Sequence, residues 1–249
     1  MRLLLHQLRA EQRLFWRSRE LAFFTFLLPI VFYLMLASAY GGEDIEGVEG
    51  YQFLLAGMIG YGAAATTFAG LALLLVIRRE SGVLKRLRAT PLPGGTYIAA
   101  VLASIIVIFL LEAVILIALA RLAFDVPLPS SIFSLAVVLL LGAGSFAALG
   151  IGLTAVIRSA EGSSAVVNAL YLPVAFISGA FFSENTFPDA LRLIGEILPL
   201  SHLIRLSRDV IVYGDAVWEH LGDAGIVAAW GVLGLVVALR GFRWEPRER

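Results

Sequence analysis

The sequence predicts an all-α membrane protein: six transmembrane helices, an N-terminal interfacial amphipathic helix, and an extracellular re-entrant helical hairpin between spans five and six. Three observations predict it. Of the 249 residues, 59% are hydrophobic and only 15% charged, with a mean hydropathy of +0.89, whereas a soluble domain holds about 45–50% apolar and about 25% charged residues. Apolar runs long enough to cross a ~30 Å hydrocarbon core at 1.5 Å per residue recur six times along the chain. The cations are sorted between alternate connecting segments, fifteen on one side against four on the other, which places both termini in the cytoplasm.

Residues 1–20 carry five arginines. On a helical wheel Leu4, Leu5, Leu8, Gln12, Phe15 and Trp16 share one arc, while Arg2, His6, Arg9, Arg13 and Arg17 share the next. That sorting suits a helix lying among lipid headgroups; the plainer alternative is a topology signal. The spans follow at 21–39, 51–77, 97–120, 131–157, 163–182 and 223–240. Ala37-Ser38-Ala39 imitates a cleavage site, but the 19-residue run that ends with it exceeds the about 7–15 residues of a signal-peptide core. The first helix is therefore expected to be retained. The second span, about 40 Å as a straight helix, must tilt or project from the bilayer.

Between the second and third spans, residues 78–95 read RRESGVLKRLRATPLPGG. Five cations surround a small apolar ridge of Val83, Leu84 and Leu87, and the Thr90–Gly95 stretch breaks any helix. Residues 183–222 have a different texture, with helix candidates at 188–198 and 201–213, too short and too polar to span. Pro188 suits a first-turn position, Ser201 a cap, and Gly214 a C-terminal stop.

A few residues stand out within the spans. Gly57, Gly60 and Gly62 with Ala63–Ala65, Thr66 and Thr67 make the second span small-faced, suited to close helix packing or to a dimer contact. Pro29 and Pro173 fall inside predicted helices and are expected to kink them. Tyr61, Thr66 and Phe68 offer contacts to a translocation path; Asn168 and Tyr171 are polar handles in apolar surroundings. Glu112 is an intramembrane acid, either a proton-coupling or cation-binding group or a protonated or paired packing group.

Other chemistry is excluded or unsupported. With no cysteine there is no disulfide framework and no thiolate metal site. The single lysine, Lys85, lies in VLKRL rather than in a phosphate-binding glycine loop, so no ATP binding by that motif is expected. The three histidines show no metal-ligand spacing, and no nucleic-acid partner is expected.

The loop motif R-E-x-G-x-L-x-x-L-R-x-T-P-L, carried by Arg79, Glu80, Gly82, Leu84, Leu87, Arg88, Thr90, Pro91 and Leu92, resembles that of ABC type-2 exporter permeases. A second match runs through Pro173, Ser178, Gly179, Phe182, Pro188, Pro199, Leu200 and Arg205 or Arg208. What the resemblance implies is the membrane subunit of an ATP-driven exporter in the cytoplasmic (plasma) membrane. Its partners would be a nucleotide-binding ATPase subunit, which would hold ATP and Mg, and a second permease copy, identical or paralogous. Arg79, Glu80, Gly82, Leu84, Lys85, Arg86, Leu87, Arg88, Thr90 and Pro91 would form the coupling loop. Pro29, Tyr61, Thr66, Phe68, Asn168, Tyr171 and Pro173 would line or gate the path for a hydrophobic or amphipathic cargo, a drug or antibiotic first. Because ATP supplies the energy in that class, the packing reading of Glu112 is preferred, and Glu112→Gln is expected to leave most transport intact. The alternatives are lipid or glycan export by the same architecture, and an ion-coupled secondary transporter, for which the chain lacks a convincing internal repeat.

Overall fold

The computed structural model describes residues 2–157 and 159–245. Arg158 and the tail cations Arg247 and Arg249, counted above toward the basic side, lie outside the described residues.

The first helix, α1 (Arg2–Arg17), ends where Ser18 leaves helical geometry, and α2 (Arg19–Tyr40) follows at once. The acidic connection then folds into a feature the sequence reading did not foresee. Strands β1 (Asp44–Ile45) and β2 (Val48–Glu49) pair antiparallel around Glu46 and Gly47, both at positive φ, as a tight two-residue hairpin turn requires. The Asp44 carboxylate accepts the Gly47 amide at 2.7 Å.

Next comes α3 (Gly50–Glu80), of 31 residues, about 46 Å long at helical rise and therefore longer than a bilayer core. Its middle, Ala63–Gly70, winds as a π-helix. Gly82, left-handed at φ 73°, turns the chain into the short α4 (Val83–Arg88). The third apolar helix, α5 (Gly94–Phe124), exceeds the predicted 97–120 by about a turn at each end, because the prolines release the chain at Pro93 and the left-handed Asp125 closes it.

The fourth, α6 (Ile132–Leu153), stops short of the predicted 157: Thr154 and the residues after it turn through three-residue hydrogen bonds. The fifth, α7 (Ala160–Ile177), starts before and ends before the predicted 163–182. Ser159 caps its N-terminus by accepting the Gly162 amide, and Gly179, at φ 74°, turns the chain away.

The segment before the last span holds α8 (Asp189–Gly195) and α9 (Pro199–Arg208), the latter continued by a π turn, Asp209–Tyr213, that Gly214 stops at φ 75°. Two expectations are corrected here. Pro188 caps α8 from outside rather than sitting in its first turn. Ser201 lies buried inside α9 and caps nothing; Pro199 occupies the first turn instead, where its missing N–H leaves no bond unmade. A 3₁₀ turn, Val217–His220, leads into α10 (Leu221–Gly241).

Six of these helices are long and apolar enough to cross a membrane. The chain is an integral membrane protein built on α3, which is mostly buried, while α2, α7 and α10 expose most of their length. Small residues set the close approaches. A Cβ on Gly57 would meet the Ala180 carbonyl at 2.0 Å, and one on Gly234 of α10 would meet the Leu149 amide of α6 at 2.5 Å. The glycines of α3 are therefore packing positions within the chain, the role small faces play between membrane helices. Both Pro29 and Pro173 lie inside continuous helices.

Candidate functional site

The end of the bundle that carries α1 and α4, here the basic end, is organised by three charged residues. Glu11 of α1 sits beside Leu4 at the edge of the arc the wheel assigns to apolar side chains and is buried. It accepts from the Arg78 guanidinium at 2.7 Å, and Arg78 also donates to the Tyr97 hydroxyl at 2.7 Å. One turn earlier on α1, Gln7 donates to Glu11, and Gln12 donates to the Ser104 carbonyl at 3.0 Å. A buried ion pair with further hydrogen bonds fixes geometry rather than adding much net stability. Here it fixes α1 against the start of α5 and the end of α3.

The loop residues divide by face. Leu84 is fully buried with Leu71, Leu75, Tyr97 and Val101, and Leu87 and Leu92 pack beside it. The Trp244 ring closes the same cluster, lying over Gly94, where a Cβ would meet it at 2.7 Å. Lys85, Arg86, Arg88, Thr90 and Pro91 are exposed, and Thr90 folds back to donate to the Leu87 carbonyl at 2.6 Å. Arg79 behaves differently. It is buried, donates to the carbonyls of Thr154 at 2.8 Å and Ile157 at 2.7 Å, and pairs with Glu80 at 3.1 Å. It thus satisfies carbonyls left open where α6 ends and turns its charge inward, away from the exposed face of α4.

Above this end lies a cavity of about 700 Å³ between α1, α2, α3, α5 and α7. Five of the seven residues expected on a path line it together: Pro29, Tyr61, Thr66, Asn168 and Tyr171. The Tyr61 and Tyr171 hydroxyls share a hydrogen bond of 3.0 Å across α3 and α7. Phe68 and Pro173 are not in the lining; Phe68 packs between two core clusters, and Pro173 is exposed on α7. At its basic end the cavity is bounded by Glu11, Arg78 and Tyr97, with Val83 and Leu87 of the loop. Glu112 lies outside the lining, buried behind Thr66, whose hydroxyl it accepts at 2.7 Å. The wall is largely aliphatic and aromatic, with hydroxyls and one amide at depth, the pattern of a pocket for an apolar or amphipathic molecule.

The opposite end is latched by its own charges. Glu46 at the hairpin tip accepts from the Ser183 hydroxyl and from Asn185 at 2.8 Å, and Arg205 pairs with Glu184 at 2.6 Å. Arg208 lies over the Phe53 ring at 3.9 Å, and its burial lowers the proton affinity of the guanidinium against the opposing pull of Glu46. His220 faces Asp209 at 3.2 Å through one ring nitrogen and Asp215 at 3.0 Å through the other. Ligand-type atoms of these three lie within 4.8 Å of one another, but a ring bridging two acids through opposite nitrogens is a hydrogen-bonded tie rather than a metal's half-shell. His220, unremarkable in spacing, meets Asp209 only through the folding of the chain after α9 back toward α10.

Glu11, Arg78, Tyr97 and Trp244 are the site residues that spacing did not reveal. The wheel carried one signal for them, a carboxylate at the edge of the greasy arc.

Comparison with known proteins agrees with this geometry. A family model described as ABC-2 type transporter matches residues 3–212. The protein YvfS of Bacillus subtilis (strain 168), described as a transport permease, is 24% identical over 213 residues, covering 85% of this chain and 86% of its own. The daunorubicin resistance ABC transporter permease protein DrrB1 of Streptomyces coeruleorubidus is 29% identical over 220 residues, covering 83% of this chain and 75% of its own.

Proposed function

The chain belongs to the ABC-2 type transporter family, and from that premise we propose that it is the membrane-spanning permease of an ATP-driven exporter that moves a hydrophobic or amphipathic compound outward across the cytoplasmic membrane. Members of the family are transmembrane subunits without an ATPase of their own, and they work as dimers with a partner ATPase. In this reading the basic end faces the cytoplasm, the ATPase holds ATP and Mg, and the segment holding α8 and α9 forms the outer re-entrant hairpin.

One observation carries the reading. The cationic face of α4 is exposed while its apolar ridge forms part of the cavity boundary, through Val83 and Leu87. A push on Lys85, Arg86 or Arg88 from a docked ATPase therefore reaches the cargo space through a single turn of helix. The drug-resistance name of DrrB1 supports a drug or antibiotic as cargo. A lipid-like cargo is the second reading, favoured by the reach of the lining along α3 from Arg78 to Tyr61, about 25 Å at helical rise.

The test is dye accumulation in inside-out vesicles containing the chain and the ATPase that co-purifies with it. ATP-dependent, vanadate-sensitive uptake is expected. Uptake driven by a proton or sodium gradient without ATP would favour the ion-coupled alternative and end this reading.

A further inference from the structure

We infer that the inner end of the cavity selects amphipathic organic cations, and that Glu112 sets this preference through Thr66; the inference rests on the cavity being the cargo site proposed above. On α5, Ile108 lines the cavity and Glu112 follows it by four residues, on the same helix face one turn deeper. The carboxylate is held between Gly62 and Thr66 of α3. Gly62 has no side chain to meet it; a Cβ there would lie 2.4 Å from Oε1.

Two features of this arrangement point to a ligand. Oε1 is buried and, among the described residues, has no hydrogen-bond partner, so their packing leaves half of the carboxyl group unused. The protein also supplies no counter-charge there. Among the described residues no ion pair reaches Glu112, and the cation in the cavity lining, Arg78, is twelve residues from Thr66 along α3, about 18 Å, and is engaged by Glu11.

Thr66 transmits the acid to the cavity. With its proton directed at Glu112 Oε2, its oxygen has only lone pairs to offer a molecule in the cavity. Beside it stand the rings of Tyr61 and Tyr171, 6.0 Å apart. A protonated amine on an apolar body meets an acceptor and aromatic faces that attract cations, and its charge lets the buried Glu112 carboxyl behind Thr66 ionise. It brings the counter-charge that the chain lacks. An uncharged molecule of the same shape keeps the apolar contacts and loses only the electrostatic part. Intramembrane acids of this kind commonly mark substrate pathways.

Glu112→Gln is the direct probe, since it preserves shape and the acceptor for Thr66 while removing the charge. Binding of 4-phenylbutylammonium and of neutral 4-phenylbutanol is measured by equilibrium dialysis on the full chain in nanodiscs, with empty nanodiscs as the blank. The wild type is expected to bind the ammonium at least tenfold more tightly than the alcohol. In Glu112→Gln the two should fall within about twofold of each other, with the alcohol's affinity unchanged. Wild type without a cation preference, or a variant that keeps it, overturns the inference while leaving the cargo site standing. Absence of saturable binding of either compound overturns the cargo site itself. If Glu112→Gln does not fold, Thr66→Val serves: the preference should shrink at least threefold, and an unchanged ratio again overturns the inference.

Discussion

At Arg79 the five donors of a guanidinium meet the open end of another helix. Among the described residues, no other side chain donates to its two carbonyl acceptors on the Thr154–Ile157 turn. Arg79→Leu leaves them unsatisfied, at a cost of about 1–3 kcal/mol each, and is expected to lower thermal stability in detergent markedly. Arg79→Lys supplies a point charge without the fork and should recover only part of the loss; equal stability of all three proteins would remove this role. Glu11 is the complementary case. Removing it leaves Arg78 with the Tyr97 hydroxyl alone, so Glu11→Ala should loosen α1. Limited proteolysis between α1 and α2 would then proceed faster than in the wild type, whereas an unchanged cleavage rate would mean that α1 is held by its apolar contacts.

Among the elements, α4 and α3 divide the work of transmission. The ridge of α4 is rooted in the core and its cations are free, so reversing Arg86 and Arg88 to Glu should change docking without changing the fold. Loss of ATPase co-purification, with the permease still inserted, is the expected result; retained co-purification counts against the coupling role. In α3 Gly57 brings a neighbour's backbone close, while Gly60 and Gly62 admit the side chains of Ile204 and Glu112. Gly57→Val places atoms where the Ala180 carbonyl already stands and should reduce the yield of folded protein severalfold, while the same change at Gly82, a left-handed turn residue with open space around it, should act through backbone strain alone and cost about 1–2 kcal/mol. The π turn between Gly62 and Leu71 coincides with Thr66 and the cavity wall, in keeping with the frequency of π-bulges at functional sites.

For the whole molecule, the testable quantity is sidedness. The chain has no cysteine, so single cysteines introduced at exposed Ser81, Arg243, Gly42 and Asp189 report their side directly. The first two should label only from the cytoplasm and the last two only from outside. Ser81 and Arg243 on opposite sides would break the six-span topology.

How much of this was legible in the residues depends on the range of the forces involved. Hydropathy is a local property, so six spans, the amphipathic first helix and the cationic loop could be read in order along the chain, and Gly214 marked its turn because left-handed backbone selects glycine locally. Burial of Arg79, the unpartnered oxygen of Glu112, the tie of His220 to two acids and the assembly of Tyr61, Thr66, Asn168 and Tyr171 around one cavity are decided by segments tens of residues apart. In a membrane protein every helix is apolar on most faces, so the pattern of hydrophobicity says that a segment is inserted but not which face meets lipid and which meets protein. The sequence alone therefore determined that the chain spans the bilayer and how often; only the packing of α3 against its neighbours decided where a molecule fits inside.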